Sequence, residues 1–177
     1  VAANLFEQNG FAATTMDDIA ERAGISRKSL FVYFPSKADL IWHRSGPYVE
    51  NLRKDLARQG EPLTSIVLAI RSGFNKVDRA ESTLRSQARL HATDEDARAL
   101  VETRGLAWRQ AIEGRLTEDG ADLLVAEMIG YGFWRAMWTA LELWASEEAE
   151  SLDSVMARAM GRMTAAAGRL LNGPPTF

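Results

Sequence analysis

Apolar residues along this chain of 177 residues recur at intervals of three and four rather than two, a spacing that predicts helices throughout. Met16, Ile19, Ala20 and Ala23 fall at i, i+3, i+4 and i+7, one buried stripe on a short helix. Thr15 stands before it as N-cap, with Asp18 three residues on as capping-box partner, and Gly24 supplies the left-handed residue that ends it. Ile25 is expected to plug the core. Ser26 caps the next helix, Arg27 to Phe34, in which Leu30 and Phe34 point inward. Pro35 stops that helix, and Ser36 with Asp39 caps the following one. Beyond Ser36 the pattern predicts long helices of about 15 to 25 residues. Breaks are expected at Gly46-Pro47, Gly60-Glu61-Pro62, Ala92-Thr93, Glu118-Asp119-Gly120 and Ser146-Glu147. The expected fold class is all-α: an N-terminal three-helix helix-turn-helix head, residues 1–44, on a larger C-terminal helical bundle, residues 45–177.

Two patterns dominate the bundle. In a helix expected from Asp119 to Ala145, Glu127, Tyr131, Arg135, Trp138, Thr139 and Glu142 share one side. Val125, Ile129, Phe133, Met137, Ala140, Leu143 and Trp144 cover the others, an arc wide enough to be buried by the subunit and by a second chain. The last helix, near Ser151 to Leu171, carries the stripe Leu152, Val155, Met156, Ala159, Met160, Met163, Ala167 and Leu170. That stripe fits either a seam between two copies or packing within one subunit. Phe74, Leu84, Leu90, His91, Trp108, Met128, Tyr131, Trp134, Met137 and Trp138 likewise have two readings. They line a cavity for a small apolar or amphipathic effector, or they are plain core. Arg89, His91, Arg109 and Arg135 are candidate anchors for an anionic ligand.

Composition narrows the function. Forty-six per cent hydrophobic residues is ordinary for a globular chain. No apolar run approaches the ~18 to 20 residues that cross a bilayer, so no membrane partner is expected. The first residues lack a secretory layout and begin without methionine inside what reads as a helix, so further residues are expected before Val1. The absence of cysteine excludes disulfides, thiolate catalysis and thiolate metal sites, and it fits a cytoplasmic location. Only His43 and His91 are present, with no phosphate-cradling glycine loop and no metal-spaced His/Asp cluster. The expectation is therefore no enzyme, no metal and no cofactor. A net charge of −3 argues against nucleic acid until it is divided along the chain. Between residues 22 and 44, Arg22, Arg27, Lys28, Lys37 and Arg44 face Asp39 alone. Local excess matters more than the total, because charges are screened beyond about 8 to 10 Å.

That basic stretch has a suitable shape. On the second short helix Lys28 and Val32 lie opposite the inward residues, flanked by Arg27 and Ser29, a small basic and hydroxyl-bearing face that suits a major groove. Lys37 falls in the first turn of the helix after Ser36, where free N–H groups favour a phosphate. The alternative is a helical protein-interaction module without DNA binding.

The stretch Leu5-Phe6, Asn9-Gly10-Phe11, Thr14 to Ser26 and Leu30 to Lys37 resembles the N-terminal domain of TetR-type regulators over residues 5 to about 42. Ala-Gly-Ile-Ser and Tyr-Phe-Pro-Ser-Lys are its most specific words. The resemblance implies phosphate contacts from Thr15, with Thr14, and backbone contacts from Tyr33 and Lys37. It implies base contacts from Arg27, Lys28 and Ser29, with Val32 as an apolar contact, and Ser26 counts among the DNA-binding residues. Lys28 stands where many members have glycine, and Phe31 where tyrosine is common. The resemblance further implies a homodimer paired through its last two helices. Its partner is double-stranded operator DNA, and a small-molecule effector releases it. From the second short helix to Trp42 the chain also loosely resembles mycofactocin-type regulators, which implies an acyl-thioester effector. The helix after Ser36, shared by head and bundle, is the expected lever between them.

Overall fold

A computed structural model describes residues 1–42, 45–58, 60–74, 81–146 and 150–173, and every regular element among them is a helix. His43, Arg44 and the Pro174-Pro175 end lie outside the described residues. The head carries α1 (Ala2–Asn9), α2 (Met16–Ala23), α3 (Arg27–Tyr33) and α4 (Lys37–Trp42). There follow α5 (Ser45–Leu56), α6 (Pro62–Phe74), α7 (Glu81–Thr93), α8 (Glu95–Arg104), α9 (Leu106–Glu118), α10 (Leu123–Ser146) and α11 (Leu152–Leu171).

Local chemistry sets the head. Thr15 Oγ1 accepts from the Asp18 N–H at 3.1 Å while Asp18 Oδ2 accepts from the Thr15 N–H at 2.8 Å, a closed capping box. Those bonds to Thr15 favour the carboxylate and hold the Asp18 pKa below its ordinary value. Gly24, at φ 68°, turns the chain left-handed, and the Ile25 N–H reaches back to the Ala20 carbonyl at 3.0 Å. Ser26 accepts from the Ser29 N–H to start α3, and Ser36 does the same for Asp39 at the head of α4. Ile19, Ala20 and Leu30 are buried and Phe34 packs against them, but Ala23 and Ile25 are exposed, against expectation. A stripe on a two-turn helix frays at its end, and the left-handed turn swings Ile25 off the core.

The body departs from expectation in lengths. The element after Ser36 is only six residues, and α5 to α9 run to between 10 and 13 residues. Only α10, at 24 residues, and α11, at 20, match the expected size. Two divisions were not anticipated, between α6 and α7 and between α8 and α9, while the expected break at Gly46-Pro47 falls within α5. Gly105 separates α8 from α9, and a Cβ there would sit 2.4 Å from the Trp134 indole. The ring occupies the space a side chain would need.

Helix α10 is the axis, packed by α7, α9 and α11, and it buries Ala126, Ile129, Phe133, Ala140 and Trp144. Gly132 lets α11 approach so closely that a Cβ would meet Met163 Cε at 2.5 Å. The α11 stripe, with Val155, Met156, Met160 and Ala167 at its buried centre, is spent inside the subunit against α10 and α6. Leu152, Ala159, Met163 and Leu170 flank that centre and are only half-buried. The exposed side of α11 carries Ser154, Ala157, Gly161 and Ala165 together with Asp153, Arg158, Arg162 and Arg169. Helix α1 joins head to body by packing on α7 and α4, with the Phe6 and Phe11 rings 5.1 Å apart. Among the described residues no helix is long and apolar enough to cross a membrane.

Candidate nucleic-acid interface

Burial of Leu30 fixes the rotation of α3 about its axis, and with it what the other side offers. Lys28 and Ser29 are exposed, Val32 is 70% exposed and Tyr33 75% exposed. Phe31, at 37% exposed, completes a run of three consecutive exposed apolar or aromatic residues on this seven-residue helix. Arg27 extends from the same helix, paired with Asp17 at 2.8 Å and lying over the Phe31 ring at 5.4 Å. Ser26 and Thr15 are exposed, and their hydroxyls are engaged at the first turns of α3 and α2.

Two residues sit elsewhere. Thr14 is 1% exposed, its hydroxyl turned to the carbonyls of Gly10 at 2.8 Å and Leu5 at 3.2 Å, so it closes the end of α1 and offers nothing outward. The Lys37 ammonium folds back onto the head, donating to the Phe11 carbonyl at 2.6 Å and the Ala12 carbonyl at 3.1 Å, 4.7 Å from the Phe11 ring. The expectation of a phosphate at its helix end overlooked that α4 is one and a half turns long and that bare carbonyls lay within reach.

The body residues divide too. His91 is fully buried and stacks on Trp138, centroids 4.2 Å apart; Trp138 meets Trp134 edge-on, and Trp134 meets Trp108 at 5.3 Å. Met137 is buried on the same helix, and Phe74 and Leu84 pack half-buried against the core. Met128 and Tyr131 instead lie half exposed on the outer face of α10.

Charged groups border this aromatic row. The His91 Nδ1–H donates to Glu142 Oε1 at 2.6 Å, which assigns the tautomer and leaves Nε2 without a partner. Burial pushes the imidazole pKa below its ordinary value despite the Glu142 carboxylate, which pulls the other way, so the ring is neutral near pH 7. Glu102 accepts from the Trp134 Nε1–H at 3.0 Å and from Arg109 at 3.1 Å, with Arg135 at 3.8 Å. Arg89 is bonded to the Ala145 carbonyl. All four expected anion anchors thus have internal partners. A cleft between α1, α4 and α7 is lined by Phe6, Ile41, Ser86 and Leu90, so of the expected cavity residues it takes Leu90.

Residues 1–42 match the model of the bacterial regulatory proteins of the tetR family. The head is similar to that of TetR-type regulators. Over nearly its whole length the chain is similar to a protein of Mycobacterium tuberculosis described as a mycofactocin biosynthesis transcriptional regulator. The two are 28% identical, over 96% of this chain and 89% of that protein. The regulator AcrR of Shigella flexneri is 33% identical over 36% of this chain and 32% of its own length. Among solved structures, the regulator FadR of Bacillus subtilis in complex with stearoyl-CoA shares the fold at a TM-score of 0.67. Its identity is 17%, over 92% of this chain and 94% of that one. The TetR-type repressor FadR of Thermus thermophilus, in complex with lauroyl-CoA, aligns at 0.56 with 23% identity, over 99% and 95% of the two chains. The all-helical plan of a small head on a helical body is therefore common to this chain and its structural neighbours. These relatives are transcriptional regulators by name.

Proposed function

We propose that two copies of the chain form a repressor that holds double-stranded operator DNA through the outer faces of their α3 helices. A small amphipathic effector of the acyl-thioester class releases it. The observation that carries the DNA reading is the sorting of α3: Leu30 is buried while Lys28, Ser29, Val32 and Tyr33 are exposed. In this reading residues 1–44 form the DNA-binding unit and residues 45–177 the effector and dimer unit. Arg27, Lys28, Ser29 and Val32 meet base edges, Arg27 after leaving Asp17, while Thr15, Ser26 and Tyr33 hold phosphates. Thr14 and Lys37 drop out of the contact set for the reasons of geometry given above.

The dimer uses the outer strip of α10, with Leu124, Met128 and Leu143, beside the small-residue side of α11. Small side chains allow two helix axes to approach closely, and two heads one duplex turn apart multiply modest half-site affinities. Met128 and Tyr131 belong to that outer surface rather than to a pocket. The effector enters the row of His91, Trp108, Trp134, Met137 and Trp138, with Phe74 and Leu84 at its edge. The long-chain CoA esters held by the two FadR proteins support an acyl thioester. Release requires only that the effector prefer a head spacing that does not fit the operator. A bacterial operator places the protein in the cytoplasm, and nothing in the arrangement calls for catalysis.

Selecting bound fragments from random duplex DNA tests the DNA reading and returns half-site spacing together. Enrichment of a split site, with affinity falling steeply as salt rises, is the expected result. A pool that stays random would leave the helical interaction module as the better reading. Stearoyl-CoA added to the selected complex tests the effector, and sedimentation of the free protein tests the dimer.

A further inference from the structure

The turn between α1 and α2 is held from outside the head. The Phe11 N–H donates to Asp94 Oδ2 at 3.0 Å, across 83 residues of sequence. Asp94 is the N-cap of α8, and its other oxygen, Oδ1, accepts from the Ala97 N–H at 3.0 Å. One carboxylate therefore starts a body helix and grips the head, each oxygen taking one backbone donor. The Phe11 carbonyl is gripped in turn by Lys37. This single residue, through the peptide on either side of it, thus joins α4, the α1–α2 turn and the body.

The corner that presents Asp94 is stiff. Its own N–H bonds the Leu90 carbonyl at 2.9 Å, and Arg98 donates to the carbonyls of His91 at 3.0 Å and Ala92 at 2.7 Å, closing the end of α7 onto α8. At the far end of α8, Arg104 pairs with Asp39 of α4 at 2.7 Å. A helix of ten residues is about 15 Å long, so α8 holds the head at two points roughly that far apart. The Gln87 side-chain amide, on α7, adds a third tie to the Ile41 carbonyl. Two separated grips fix an angle, which one does not.

We infer that Asp94 is a positioning residue that sets the orientation of the head on the body, and through it the half-site spacing the dimer accepts. This rests on the DNA reading above for its consequence, but not for its geometry. Aspartate suits the task because it offers two strong acceptors on a short stem. Serine in its place keeps a good helix cap but cannot span to Phe11. Asp94→Ser therefore separates the tether from the cap.

The test uses the full-length chain, wild type and Asp94→Ser, on the duplex selected from the random pool and on two duplexes with the half-sites moved one base pair closer or farther apart. Wild type should favour the selected spacing about tenfold, and Asp94→Ser should lose most of that preference by weakening on the selected duplex alone. In parallel, the Phe11 amide should exchange with solvent about tenfold faster in the variant while the α8 amides keep their protection. A variant that discriminates spacing like wild type, with Phe11 deprotected, overturns the inference. If wild type selects no duplex, the DNA reading fails by itself and Phe11 exchange alone judges the tether: faster exchange upholds it, unchanged exchange overturns it. Should α8 lose protection as well, Asp94 is merely structural and the inference falls.

Discussion

Head and body are both helical, yet they are held by different means. The head is punctuated by short polar bonds: Thr15 with Asp18, Ser26 with Ser29, Ser36 with Asp39, each closing over three residues. The body is held by large side chains that meet across long stretches of sequence, Trp108 on Trp134, Trp134 on Trp138, Trp138 on His91. Directional caps define where each short helix begins, and the outer face of α3 is left bare because so little of it is needed for the core. Packing in the body is non-directional and dense, so it tolerates a missing polar bond but not a misplaced methyl group.

The largest expected effect therefore lies in the body. Gly105→Ala drives a methyl into the Trp134 ring and should cost about 2 kcal/mol, read by denaturant unfolding, with the head amides keeping their order of exchange. If Gly105→Ala unfolds like wild type, the ring is free to move and the body is looser than its packing implies. On the head, Lys28→Ala should weaken the selected duplex by about 1 to 3 kcal/mol and relax choice at one base position. Lys37→Ala should leave the salt dependence of binding unchanged, because its ammonium is already spent on carbonyls. A slope reduced by roughly one would return Lys37 to the phosphate contacts. Thr15→Ala should cost the head about 1 kcal/mol, seen as faster exchange in α2 with the body unmoved; a uniform loss across both regions would erase the contrast drawn here.

The smallest effect is conditional on pH. Since burial holds the His91 pKa below its unfolded value, the unfolded chain takes up the proton first as pH falls. The ring's contribution is whole above about pH 6.5 and is lost as pH falls through the lower folded pKa. His91→Gln should flatten stability across that window relative to wild type. A wild-type curve already flat there would mean that the imidazole is charged inside the fold.

The two regions also differ in how far they can be read from sequence. Caps and stops in the head lie within three or four residues of one another, so Thr15, Gly24 and Ser26 announce their roles. What misleads is any side chain whose partner comes from elsewhere. Thr14 reads as a phosphate ligand until α1 supplies two carbonyls, and Lys37 until the Phe11 turn does. In the body, periodicity tells which side of α11 is buried but not by what, so the same stripe fitted a seam and a core. The break at Gly105 depends on an indole 29 residues later, and a lone glycine carries no such message. Asp94 starts α8 directly after the expected break at Ala92-Thr93, but nothing nearby in sequence signals its bond to Phe11.

The near-parallel stack of His91 on Trp138, at 19° between planes, has an optical consequence. An imidazolium is a far better quencher of indole emission than neutral imidazole, so the protein's own fluorescence should dim when that ring gains a proton or brighten when the two rings are prised apart. Acidification and occupancy of the bundle would then be distinguishable by the sign of the intensity change, without any attached dye.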